Sequence, residues 1–282
     1  MLRIAFRSDW KEYLSEKLME LGGCYDDGKN LVDNTILYFN AVRRKLPSKK
    51  RTVNESSELQ IPVEYIAAYE KIKHIIRNGK DLNPYLSRGT KSLAGNDLLL
   101  NEWGIHHLHL GNALNDDGYI ERTDNLLYGM FTDDTAYMLQ VLNHGAWTNT
   151  DLIQIIHDNW PNVLSKCKTV SGPEHLTSEN RKTLRKKHLN VTITVTDGTT
   201  YLPPAGGMTS AGNCIFDTFN ADRTLARIDD LQGIVLGNSV NFHNAMQLTE
   251  ADEATIKLII EDDGYWLLEP NRNIRFNFPI NW

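Results

Sequence analysis

Three of the nine histidines fall within four positions, in the run Glu102, Trp103, Gly104, Ile105, His106, His107, Leu108, His109, Leu110. Side chains alternate across a strand, so His107 and His109 share one face with Ile105, while His106 shares the other with Leu108 and Leu110. His107 and His109 are therefore natural partners. Downstream, Arg122 stands ahead of one apolar run, His144 ends the next, and His157 lies on a helical stretch. A compact antiparallel sheet would bring His107, His109, Arg122 and His144 to a single phosphate.

Two chemistries fit these residue types. One is metal-free phosphodiester cleavage of RNA: His107 or His109 removes the proton of the 2′-hydroxyl, His144 protonates the leaving oxygen, and Arg122 offsets charge on phosphorus. Histidine suits both proton roles because its unperturbed pKa of about 6.5 lies near working pH, and the arginine fork matches phosphate oxygens. This chemistry needs no cofactor. The other is a divalent transition metal, zinc, iron or manganese, held by His107, His109 and His144 with a carboxylate such as Glu102 or Asp124 in a metal-dependent hydrolase. No Glu follows His109 at cupin spacing, and no second metal motif accompanies the pair. A third reading makes the protein a binding or regulatory module whose imidazoles are structural, and treats Trp103, Trp147 and Trp160 as core anchors.

The elements that must position these groups are legible from periodicity. Helical spacing predicts helices over 8–21, 34–46 and 62–76, so the N-terminal region reads as helical. After Gly95 the pattern changes to short strands over 103–110, 125–131 and 135–142. The last two are joined by the turn Thr132, Asp133, Asp134, Thr135, and a helix over 152–160 follows, capped by Thr148 or Thr150. Alternation returns after Asn190. Hairpins are expected around Asp197 and Gly198, and around Asp262, Asp263 and Gly264, with the glycine-rich stretch from Pro203 to Gly212 between them. The spacing of its glycines and the lack of a following Lys make it an irregular loop and not a phosphate cradle.

Over residues 61–160 the order is a helix, the strand Trp103 to Leu110, Arg122 ahead of Leu126 to Phe131, a turn, Tyr137 to His144, and a closing helix. This order resembles the RelE and HigB group of bacterial toxins, small ribonucleases that cleave mRNA. The resemblance implies a helical hairpin on an antiparallel sheet and metal-independent RNA cleavage by a toxin-like effector, with a ribosome or a partner protein in attendance. It also implies that Arg122 matches the arginine opening the middle strand and His144 the polar residue closing the third.

Length and composition frame this reading. The 282 residues suffice for about two domains, and 41% hydrophobic with 23% charged residues is the balance of a folded globular chain. Net charge is −6, but residues 189–282 hold 5 basic against 12 acidic side chains. Arg43 to Arg51 and Arg181 to His188 carry 11 of the 30 lysines and arginines and could face a polyanion such as RNA. Cys24, Cys167 and Cys214 are too scattered for a disulfide frame, and no apolar run reaches membrane length. A cytoplasmic protein without a membrane partner is expected. The fold class is α+β: a helical N-terminal region (1–90), a central antiparallel sheet with a helix (91–168), and after a basic linker an acidic β-rich domain (189–282). That last domain would mimic a polyanion or cover the basic half.

Overall fold

The computed structural model describes residues 2–144, 151–164, 166–167, 177–248, 252–261 and 264–277. In chain order the elements are β1 (Leu2–Ile4), α1 (Phe6–Glu20), α2 (Leu31–Arg43), β2 (Thr52–Glu55), α3 (Ile66–Asn78), α4 (Leu98–Trp103), β3 (Ile105–His109), β4 (Asn125–Phe131), β5 (Thr135–Asn143), α5 (Asp151–Asn159) and β6 (Lys166–Cys167). There follow α6 (Ser178–Lys186), β7 (Ile193–Thr194), β8 (Thr200–Tyr201), α7 (Ile215–Gly237), α8 (Ser239–Ala245), β9 (Ala254–Glu261), β10 (Gly264–Glu269) and β11 (Ile274–Asn277). The class is α+β. Among the described residues no helix is long and apolar enough to cross a membrane.

The chain forms two compact units, one of residues 1–39 with 218–282 and one of residues 40–217. These divisions differ from the boundaries expected near 90 and 189. The first helix folds with the last strands, and residues 189–217 fold with the central sheet, to whose core they contribute Ile193, Val195 and Tyr201. The expected basic linker is in part helix α6, and its Arg181 and Arg185 are buried.

In the first unit β1 pairs parallel with β9, and β9, β10 and β11 follow antiparallel. Phe6, Trp10 and Leu14 from α1 and Leu225, Ile228 and Val235 from α7 meet Ile256 and Leu258 of β9 in one core. Asp9 accepts the Leu258 N–H at 2.8 Å, and Arg7 makes a two-pronged contact to Asp229, both bonds 2.7 Å. The acidic C-terminal stretch thus carries the expected strands and also a 23-residue helix. The turn residues Asp262 and Asp263 lie outside the described residues.

The second unit is built on a sheet of order β2-β5-β4-β3, with β2 parallel to β5 and the rest antiparallel. β4 is buried on both faces, which is why it reads as a continuous apolar run. Against one face lie α3 with Ile72 and Ile76, meeting Leu108, Leu110 and Leu127. Against the other lie α4, α5 and the β7–β8 hairpin, whose Leu99, Trp103, Ile156 and Tyr201 meet Ile105, Leu126 and Tyr128. A bulge on β5 leaves Leu139 extra between the pairs Tyr128 with Gln140 and Gly129 with Met138. The expected caps Thr148 and Thr150, with Trp147, lie outside the described residues.

β3 is one of the two edge strands, and residues 86–100 run past it. Buried Arg44 fixes that segment, donating to the carbonyl oxygens of Asn40, Gly89, Ser92 and Leu93. A Cβ on Gly95 would lie 2.3 Å from Arg44 Nη1 and 2.6 Å from the Gly89 oxygen, so only glycine fits there. Gly95→Ala is expected to cost about 1–3 kcal/mol, as overpacking does in a filled interior, read as a lower urea midpoint at unchanged slope.

Candidate functional site

Gly104 adopts φ +67°, ends α4 as a left-handed cap, and turns the chain directly into β3. The reversal brings the N-terminal end of α4 back beside the strand. There Asp97 does two things at once. One carboxylate oxygen accepts the Leu100 N–H at 3.1 Å and caps the helix, and the other lies 3.4 Å from His107 Nδ1.

α4 is held from behind by two arginines distant in sequence. Arg185 grips Glu102 with Nε 2.6 and 2.7 Å from its two oxygens and Nη2 2.6 Å away, both side chains 2% exposed, while Trp103 Nε1 donates to the same carboxylate at 3.1 Å. Arg43 donates to Asn101 Oδ1 at 2.6 Å and pairs with buried Asp217 at 2.8–2.9 Å. The backbone carbonyls of Asn101 and Glu102 accept the N–H groups of Gly207 and Ala205. The glycine-rich stretch is therefore an irregular loop, as expected, and it serves to brace α4.

β3 ends at His109, β4 begins opposite it, and β5 ends at Asn143, so Arg122, His109 and His144 gather at one end of the sheet. The His144 N–H donates to the Asp124 oxygen at 2.6 Å. Charge on His107, Arg122 and His144 is felt at His109, which places the four sequence-predicted residues in one electrostatic neighbourhood.

They do not share one role. A cavity of about 320 Å³ opens along β3, and His106, His107 and His144 line it with Asp97, Tyr128 and Leu126. His109 does not line it. Its ring is buried and its Nδ1 accepts the Thr123 N–H at 3.2 Å, while Thr123 Oγ1 accepts the Leu110 N–H at 3.1 Å. His109 fastens the connection between β3 and β4. Arg122 is exposed and forms no ion pair among the described residues. Glu102, the carboxylate of the metal alternative, is taken up by Arg185 and Trp103. Among the described residues no three His, Cys, Asp or Glu side chains converge to hold a metal ion, so His107, His109, His144 and Glu102 do not form a ligand set.

Sequence reading missed Asp97, although its place at the head of an apolar turn marks it as a helix cap, and it missed His106 as a cavity residue. His157 lies between Tyr201 Oη at 2.7 Å and Asp197 at 3.2 Å, tying α5 to the β7–β8 hairpin. Arg43 and Arg44 are spent inside the protein and face no polyanion; Arg181 and Arg185 are likewise buried. Comparison with protein-family models, curated proteins and solved structures gives no match to this chain.

Burial is the main cause that pushes both His106 and His109 down to about 4; the Asp97 carboxylate opposes it at His106, and the neighbouring imidazole of His107 adds to it at both. Both rings are therefore neutral in the fold at pH 7, whereas in the unfolded chain they titrate near 6.5. Between those values the unfolded chain binds more protons, so stability is complete above pH 6.5 and is lost as pH falls toward 4. Each ring is expected to account for about 2 kcal/mol of loss between pH 7 and pH 5. Urea midpoints at the two pH values check this. His109→Asn, which keeps an acceptor for the Thr123 N–H, is expected to flatten the dependence by that amount, and an unaltered slope would refute it.

Proposed function

We propose that this protein is a metal-independent ribonuclease of the toxin-like kind that the RelE resemblance implies. The observation that carries the reading is the pairing of His107 with Asp97 in the wall of a cavity that His144 also lines. With Nδ1–H turned to the carboxylate, Nε2 of His107 bears the lone pair that a general base needs. A gap of 3.4 Å is long for a formed hydrogen bond, and such catalytic contacts tighten when substrate binds.

The step is a transesterification. His107 Nε2 takes the 2′-hydroxyl proton, the 2′-oxygen bonds to phosphorus, and the bond to the 5′-oxygen breaks as protonated His144 gives that oxygen its proton. The products are a 2′,3′-cyclic phosphate and a free 5′-hydroxyl. Arg122, exposed at the same sheet end, supplies the cation for the non-bridging oxygens. His107 alone keeps the base role, because the acceptor nitrogen of His109 is spent on Thr123.

End-labelled RNA is expected to be cut by the purified chain in EDTA, leaving cyclic phosphate ends, with a ribosome or partner protein added as a second arm. His107→Ala and His144→Ala should each lower the rate roughly a hundredfold. Asp97→Asn retains a good helix cap while removing the charge behind His107, so it should lower kcat at unchanged melting temperature. Cleavage that needs added divalent metal, or that survives the loss of both histidines, would overturn the reading.

A further inference from the structure

His106 is the unexplained member of the cavity wall. It is 8% exposed, yet among the described residues neither Nδ1 nor Nε2 has a hydrogen-bond partner. Phe131 meets its ring at 88° with centres 5.6 Å apart, a contact that replaces no conventional hydrogen bond. A buried polar group without a partner costs stability, and a leucine at that position would avoid the cost. The rest of the cavity is largely hydrocarbon, from Leu86, Leu98, Leu99 and Leu126, with the Tyr128 ring beside His107.

We propose that this cavity receives one unstacked base of single-stranded RNA and that His106 hydrogen-bonds to the edge of that base. The proposal rests on the ribonuclease reading and names the part of the substrate that the site selects. A neutral imidazole offers one donor and one acceptor, which matches the mixed donor and acceptor edge of a nucleobase. A phosphate or carboxylate has only acceptors and would answer only the donor nitrogen of that ring. The one arginine in the wall, Arg44, has its guanidinium committed to backbone carbonyls. Leucine walls and an aromatic ring suit the faces of a flat heterocycle. The volume, at the lower end for ligand pockets, suits one base. His106 leaves β3 on the face opposite Leu126 and Tyr128 and neither of its nitrogens reaches solvent, so engagement takes place over the free edge of β3 and requires the ring to turn about its side-chain bonds.

The test titrates the full chain, carrying ¹⁵N-labelled histidine, with adenosine, guanosine, cytidine and uridine, and in a separate arm with ribose 5-phosphate. At least one nucleoside is expected to bind saturably and to move the ¹⁵N resonances of His106, which ribose 5-phosphate leaves in place. His106→Leu is expected to weaken that nucleoside about tenfold or more while raising the melting temperature. If the variant does not fold, the resonances of the unaltered chain decide alone. No shift at His106 with any nucleoside, an equal shift with ribose 5-phosphate, or a folded His106→Leu chain that binds as well as the parent would overturn the proposal. The two readings fail separately. RNA cleavage without base preference and without nucleoside binding sinks the base pocket and leaves the ribonuclease, whereas nucleoside binding at His106 without cleavage sinks the ribonuclease and leaves the pocket.

Discussion

The second unit depends on the immobility of a six-residue helix. α4 is too short to hold itself together, since isolated helices of that length are far below the stable range in water. It persists because consecutive side chains, Asn101 and Glu102, each receive an arginine from a distant part of the chain, and because the loop over 205–207 donates to the carbonyls of the same two residues. A buried ion pair adds little compared with a well-packed apolar replacement, but removing one partner leaves a buried charge and costs about 3–5 kcal/mol. The arrangement is therefore unforgiving. Its product is a fixed Asp97, and through Asp97 a fixed imidazole at His107.

Burial then divides the three clustered histidines among three environments. His109 gives its acceptor nitrogen to Thr123 and becomes part of the strand connection. His106 leaves the strand on the other face, and among the described residues neither of its nitrogens has a partner. His107 is about one-fifth exposed, faces a carboxylate and lines the cavity. Alternation along the strand cannot by itself make this division, because His107 and His109 share a face. The difference comes from what stands opposite each ring: a helix cap for one and a backbone N–H for the other.

Much of this was legible from the sequence. The runs that became β4, β5, α5 and the C-terminal hairpin announce themselves by period, and the end of the sheet where Arg122, His109 and His144 meet follows from strand order. The domain boundaries were not legible, because the pairing of β1 with β9 joins residues some 250 positions apart and leaves no local mark. α7 was obscured for another reason. Its buried stripe, Ala221, Leu225, Ile228, Leu231 and Val235, has helical spacing, yet it lies between two strongly alternating segments and carries exposed Phe216, Phe219 and Ile234 that blur the pattern. Asp97 was hidden by its ordinariness, since a capping aspartate looks the same whether or not its second oxygen faces a histidine.

The fate of the basic clusters bears on how such a protein would hold RNA. As runs of charge, Arg43 to Arg51 and Arg181 to His188 read as surfaces for a polyanion, the kind of binding that neutralises many phosphates and fades steeply with salt. In the fold the arginines of these clusters turn largely inward. Arg43 and Arg185 neutralise Asp217 and Glu102, Arg44 gathers carbonyl oxygens, and Arg181 is buried beside Arg185 and pushed down to about 10 by that burial and that neighbour. What remains outside is chiefly lysine, some of it paired, as Lys49 is with Asp133. With Arg43, Arg44, Arg181 and Arg185 turned inward, these two clusters offer a nucleic-acid backbone fewer cations than their sequence suggests. On the ribonuclease reading proposed above, recognition rests instead on short-range contacts to side chains that Arg43 and Arg185 keep in place through α4.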